Sequence, residues 1–191
     1  MDLTRNLFVS DIFGITPALK QLLEAVSPNS LHTKLIDPYG GQQHKFASEQ
    51  EAYQGFQTIG GIESYINIVK EAVSDLDGLL TIVGFSAGGA AIWKAMEGIK
   101  KYPEIQLVLF YPGQIRHYMD VEYVFSTTIF WPSHEPHFAL NTVIENLHHK
   151  KNVQSILTPF SHGFMNVNST GYSESAYQQY KQYLQNCCKA S

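Results

Sequence analysis

The pentapeptide Gly84-Phe85-Ser86-Ala87-Gly88 joins an apolar run, Leu79-Leu80-Thr81-Ile82-Val83, to a helix-forming run from Ala90 to Ile99. A G-x-S-x-G pattern between strand and helix constrains the backbone more than any other stretch of this chain, because its serine sits on a sharp, strained turn. Side chains two positions to either side of that serine would collide, and Gly84 and Gly88 remove them, while Gly89 lets the helix approach the sheet. Ser86 Oγ is expected to project from the C-terminal end of the strand. The backbone N–H of Ala87 would then lie at a helix N-terminus, where unpaired donors and the helix dipole favour an oxyanion. The alternative reading is a glycine-rich turn without chemistry, since the pattern alone recurs by chance.

The chain has 191 residues, 44% of them hydrophobic and 16% charged, enough for one well-packed core, so a single domain over residues 1–191 is expected. Its 13 basic residues against 17 acidic ones include no basic cluster longer than Lys150-Lys151, which argues against a nucleic-acid or anionic-membrane partner. The only cysteines, Cys187 and Cys188, are adjacent, a poor basis for a disulfide framework or a structural zinc site. Met1 to Arg5 runs straight into a strand-like segment with no apolar stretch of signal-peptide length, and no run approaches the about 18 apolar residues of a membrane span. The expectation is a soluble, cytoplasmic protein.

Strand-like runs are Asn6–Ser10, Thr33–Ile36, the run ending at Val83, Gln106–Phe110, Thr127–Trp131 and Val153–Leu157. Helical patterns separate them. One opens with Thr16 as N-cap and Pro17 at the first helical position, carries Leu19, Leu22, Leu23 and Val26, and stops before Pro28. Another follows Gly60-Gly61 with Ile62, Tyr65, Ile66, Val69 and Val73 and ends near Asp77-Gly78. Phe138–His149 and Tyr172–Gln185 are the last two, and Gln42–Thr58 is a polar excursion with one short helix. Tyr177, Tyr180 and Tyr183 lie at helical spacing, a pattern of helix packing in preference to a ligand-stacking surface. This alternation predicts an α/β fold of about six mainly parallel strands with helices on both faces. The short segment Gln114–Val124 leaves no room for a lid domain.

In such a sheet, site residues are expected on loops at the C-terminal ends of strands. Two loops downstream of Ser86 carry titratable groups in the order nucleophile, acid, histidine: Pro132-Ser133-His134-Glu135-Pro136-His137 and Ser161-His162-Gly163-Phe164. His162 fits a general base and Glu135 the group that orients it; Asp120 and Glu122, after the preceding strand, are competing carboxylates. His134 and His137 do not make the helical H-E-x-x-H spacing of a zinc site, so no metal is expected.

These residues resemble the dienelactone hydrolases of the α/β-hydrolase superfamily over most of the chain. Asp11-Ile12-Phe13-Gly14 is similar to that family's Glu-Ile-Phe-Gly segment, Gly84 to Gly89 to its nucleophile elbow, and Ser161-His162-Gly163-Phe164 to its histidine loop. The resemblance implies a second oxyanion donor at the backbone N–H of Ile12 and cofactor-free hydrolysis of a lactone or carboxylic ester. Set against the superfamily, Asn6 to Ser10 already takes the place of the third strand, so a smaller sheet lacking the usual first two strands is expected. This chain has Ser86 where the family has cysteine, Glu135 where it has aspartate and Asp11 where it has glutamate. Of the family's arginines for a substrate carboxylate, only Arg116 has a nearby candidate position.

The functional expectation is a serine hydrolase acting on a small ester, lactone or thioester, with Ser86, His162 and Glu135 as catalytic residues and Ile12 and Ala87 as oxyanion donors. Asp11, Phe13, Phe85 and Arg116 are candidate substrate contacts. The alternative is a hydrolase-fold protein that binds a small ligand or protein partner without turnover.

Overall fold

Every strand pairing in the sheet is parallel, in the spatial order β2-β1-β3-β4-β5-β6. The strands are β1 (Asn6–Val9), β2 (Thr33–Ile36), β3 (Thr81–Phe85), β4 (Gln106–Phe110), β5 (Ser126–Trp131) and β6 (Val153–Leu157). The helices are α1 (Pro17–Val26), α2 (Glu49–Thr58), α3 (Gly61–Ser74), α4 (Ala87–Ala95), α5 (Leu140–Leu147) and α6 (Glu174–Cys187). This computed structural model describes residues 5–28, 33–74, 78, 81–99, 104–122 and 124–188. Leu79 and Leu80 of the expected central strand, Asp77 of the expected helix end and Met1 to Thr4 lie outside the described residues.

Side chains alternate across each strand, and the two faces have separate cores. Leu7, Val9, Ile82, Leu107, Leu109, Ile129 and Trp131 pack with α3, α4 and α5, whereas Phe8, Val83, Phe85, Val108, Phe110 and Phe130 pack with α1 and α6. Each such fully buried aliphatic or Phe side chain contributes about 1.5–3 kcal/mol. Tyr180 and Tyr183 of α6 close the second core, their rings 4.7 and 5.0 Å from that of Phe130, as the helical spacing of the tyrosines predicts. Among the described residues, no helix is long and apolar enough to cross a membrane.

Helix starts follow local chemistry where a cap is present. Thr16 accepts a hydrogen bond from the Leu19 N–H at the head of α1, and Ser173 accepts one from Ala176 at the head of α6. The helix after Ser86 differs from expectation, starting at Ala87 instead of Ala90 and ending at Ala95. Its glycines are poor helix formers that contact requires: a Cβ on Gly88 would lie 2.2 Å from the Ser10 carbonyl oxygen. The connection from β4 to β5 carries one short 3-10 helix, Gly113–His117, in agreement with the absence of a lid.

The chain passes from β1 to β2 on one side, then crosses back over β1 to β3 and continues outward to β6. The switch therefore lies between β1 and β3, and the loops after those two strands diverge to leave a crevice at their C-terminal ends. Asp11 to Gly14 follow β1 and Ser86 follows β3 at that end of the sheet.

Candidate active site

Ser86 has φ 48° and ψ −114°, a conformation that costs a non-glycine residue about 1–3 kcal/mol. Burial of its neighbours holds it there. The Ser86 N–H donates to the Phe110 carbonyl at 2.9 Å, and its own carbonyl accepts from Ala90 at 3.1 Å. A Cβ on Gly84 would lie 2.4 Å from Ile92 Cδ1 and 2.7 Å from Gly89 Cα, which is why the strand must carry glycine one residue before its end for the helix to turn back against it.

Ser86 Oγ is 2.9 Å from His162 Nε2, and His162 Nδ1 is 2.7 Å from Glu135 Oε1. The Glu135 side chain is 6% exposed and that of His162 37% exposed, so the acid is shielded while the ring reaches solvent. The histidine loop is tied down on several sides. Asn166 Nδ2 donates to Asp11 Oδ2 at 2.6 Å, Ser169 and Thr170 donate to the Glu49 carboxylate, and the Tyr111 ring lies 4.9 Å from that of His162. The acid loop is fixed by the Ser133 N–H, which donates to the Phe160 carbonyl at 2.7 Å.

Asp11 organises the facing loop. Its Oδ1 accepts from the Phe13 N–H at 2.9 Å, and its backbone carbonyl accepts from Ser10 Oγ and from the Gly14 N–H. Tyr39 Oη donates to the Ile12 carbonyl at 2.6 Å. The Ser10, Phe13 and Gly14 N–H groups are thus engaged, while none of the hydrogen bonds among the described residues uses the N–H of Ile12. Burial pushes the Asp11 carboxyl above its ordinary value of 3.8, opposed by the hydrogen bonds from Asn166 and Phe13 and by His162. Tyr39 is pushed up to about 12 by burial and by the nearby charges of Asp11 and Asp37.

A cavity of about 20 Å³ adjoins these residues, walled by Asp11, Leu19, Leu22, Phe85, Tyr111 and Asn166 among others. Of the sequence-based candidates, Asp11 and Phe85 line it. Phe13 is buried and contributes its backbone N–H to Asp11. Arg116 is not among the lining residues: its guanidinium donates to the Gly113 carbonyl at 2.8 Å and lies 4.7 Å from the centre of the Phe138 ring. Asp120 and Glu122 line a different groove with Met96, Glu97 and Phe125, and Glu122 lies 3.4 Å from Lys150 Nζ.

No family model matches the chain. The chain is 21% identical over 179 residues to the uncharacterized protein YczH of Bacillus subtilis (strain 168), covering 87% of this chain and 83% of that one. Among solved structures it is similar to a dienelactone hydrolase-like promiscuous phosphotriesterase from metagenomic libraries, with a TM-score of 0.61 and 15% identity over 98% of this chain and 88% of the other. A cold-adapted esterase from an Arctic intertidal metagenomic library gives 0.59 at 12% identity, covering 99% and 85%. Est1E from Butyrivibrio proteoclasticus gives 0.52 at 12% identity, covering 97% and 87%. The chain has a compact α/β-hydrolase fold.

Within that fold, sequence reasoning missed two side chains at the crevice. Asn166 lies four residues after His162, and Tyr111 is the first residue beyond β4, beside Ser86, the first residue beyond β3. The signal for Tyr111 was its place at the C-terminal end of the strand next to the nucleophile strand. Asn166 had only its loop as a signal.

Proposed function

We propose that this chain is a serine hydrolase of dienelactone hydrolase type that cleaves a small carboxylic ester, lactone or thioester through an acyl-enzyme intermediate. The observation that carries the reading is the continuous pair of hydrogen bonds from Ser86 Oγ through the His162 ring to Glu135, 2.9 and 2.7 Å long, starting at a strained serine. His162 Nε2 takes the Ser86 proton as Oγ attacks the substrate carbonyl, and the buried carboxylate of Glu135 holds Nδ1–H and stabilises the imidazolium. The N–H groups of Ala87 and Ile12 bind the oxyanion. His162 then protonates the leaving oxygen or sulfur, and water, activated by the same ring, releases the acid and restores Ser86. No cofactor is required for these steps.

Treatment with a fluorophosphonate probe followed by peptide mapping tests the reading. Stoichiometric labelling at Ser86, abolished in Ser86→Ala, is expected. An unlabelled, folded wild-type protein would instead favour a hydrolase-fold protein that binds without turnover.

A further inference from the structure

Two non-glycine residues among those described have positive φ: Ser86 at 48° and Tyr111 at 42°. They follow β3 and β4, whose register pairs Phe85 with Phe110, so the two strained residues are neighbours at the end of the sheet. Strain at Ser86 belongs to the elbow. Strain at Tyr111 is unexplained by the chemistry above.

Tyr111 is fully buried, and its hydroxyl oxygen has no hydrogen-bond partner. The Met165 N–H lies close enough to influence the phenol without making a hydrogen bond of ordinary geometry. A buried unpaired hydroxyl demands an explanation, and this one belongs to a residue of the cavity wall that also holds Asp11. Burial, reinforced by the Asp11 charge, pushes Tyr111 well above its ordinary value, so the phenol keeps its proton and can donate. Each Asp11 carboxylate oxygen accepts one hydrogen bond, from Phe13 or Asn166, and each has capacity for another.

We propose that this mainly apolar cavity is a subsite with one polar corner, in which Tyr111 Oη donates a hydrogen bond to a hydroxyl on a short, uncharged acyl group and Asp11 accepts a hydrogen bond from that hydroxyl. The size limits the group, since about 20 Å³ holds about one water-sized moiety. A methyl group would leave the Tyr111 hydroxyl unpaired. An ammonium could satisfy Asp11 but could not accept from Tyr111. A carboxylate would meet the Asp11 charge in a wall that contains no lysine or arginine among its lining residues. Of these groups only the hydroxyl satisfies both partners.

This subsite rests on the esterase reading, and the test separates the two. kcat/KM is measured for ethyl butyrate, ethyl 2-hydroxybutyrate, ethyl 3-hydroxybutyrate and monoethyl succinate with wild type and Tyr111→Phe. The better hydroxy ester should exceed ethyl butyrate by about tenfold or more, the effect of its hydrogen bonds to Tyr111 and Asp11, and monoethyl succinate should be the poorest substrate. In Tyr111→Phe the hydroxybutyrate-to-butyrate ratio should fall about threefold or more, the bond to Asp11 remaining. A ratio near one in wild type, or an unchanged ratio in the variant, overturns the proposal. So does a fall of more than a few degrees in the melting temperature of Tyr111→Phe, because it would reveal a structural partner for the hydroxyl. If no ester is hydrolysed, the esterase reading fails and binding decides the subsite. Ligand-observed NMR with Ser86→Ala should then show 2- or 3-hydroxybutyramide bound in preference to butyramide, and equal binding overturns the proposal.

Discussion

Replacing Glu135 by Gln removes one negative charge and leaves an amide oxygen that can still accept from His162. Glu135 Oε1 is 2.7 Å from Nδ1 in a side chain 6% exposed, so little water is available to take the place of the lost charge on that side of the ring. Hydrogen bonds to charged groups contribute about 1.5–3 kcal/mol against about 1 kcal/mol for neutral pairs, which puts the loss of charge alone at about 1–2 kcal/mol. Gln also offers an N–H₂ that can turn toward Nδ1 and favour the wrong tautomer, a second penalty of about 1 kcal/mol or more. Together these give about 2–3 kcal/mol, about thirty- to a hundredfold in rate at 1.36 kcal/mol per decade. The assay is kcat/KM for p-nitrophenyl butyrate with Glu135→Gln beside Asp120→Asn and Glu122→Gln, with melting curves to verify folding. Both controls should lie within twofold of wild type: Asp120 and Glu122 belong to another groove, and the Glu122–Lys150 pair, with its carboxylate side chain 89% exposed, contributes about 0–1 kcal/mol. Activity of Glu135→Gln within threefold of wild type, or a larger loss in Asp120→Asn, would refute the assignment of the acid.

Ser86→Ala should lower ester hydrolysis by about three orders of magnitude or more with an unchanged melting curve, since the three groups act as a unit; retention of most activity sinks the nucleophile assignment. With p-nitrophenyl esters of increasing length, kcat/KM should stop rising beyond about six carbons, because each methylene adds about 0.8 kcal/mol only while an apolar groove receives it. A steady rise to laurate or palmitate contradicts the small cavity and the short β4–β5 connection. The raised Asp11 carboxyl makes a stability prediction as well. A group whose folded pKa exceeds its unfolded value of 3.8 favours the folded state below 3.8, and that contribution is lost as pH rises through the folded pKa. The denaturation free energy of Asp11→Asn minus that of wild type should therefore increase from about pH 4 upward and then level off; a difference independent of pH means that Asp11 is not protonated in the folded state above its ordinary range.

The fold was largely legible because its signals are local. Thr16-Pro17 caps α1, Val153–Leu157 and Gln106–Phe110 read as strands at their observed limits, and helical periodicity marks α3 and α6. Boundaries shifted where packing overrules propensity. Ala87-Gly88-Gly89 does not look like the start of a helix, yet α4 begins there because the close approach of Gly88 to the Ser10 carbonyl excludes any side chain. That Ser86, Glu135 and His162 would come together was legible from chain order on successive loops of a parallel sheet, and Ser86 and Glu135 each lie within hydrogen-bonding distance of His162. Asn166 was not, because its role is a contact with Asp11 across 155 positions, and no local pattern records such a partner. For Arg116, the position near the crevice is visible in the chain, but the Gly113 carbonyl and Phe138 ring that its guanidinium meets are not.

Tyr111 is the case where local rules point the wrong way. It precedes Pro112, and a residue before proline is driven toward extended backbone, yet Tyr111 has φ 42°. Nothing in the dipeptide favours that conformation, so the surroundings must impose it. The Tyr111 N–H donates to the Phe130 carbonyl at 2.7 Å, its ring packs at 4.9 Å on both His162 and Phe164, and Pro112 presses on α4, where a Cβ on Gly89 would lie 3.0 Å from Pro112 Cβ. The glycines after Ser86 therefore make room both for the elbow helix and for the proline that follows the neighbouring strand. Relaxing Tyr111 to an extended conformation would swing its ring off His162 and move Pro112 against α4. The two strained residues thus share one packing arrangement, in which the Ser86 N–H bonds to the end of β4 while the residue that follows β4 packs on the His162 ring.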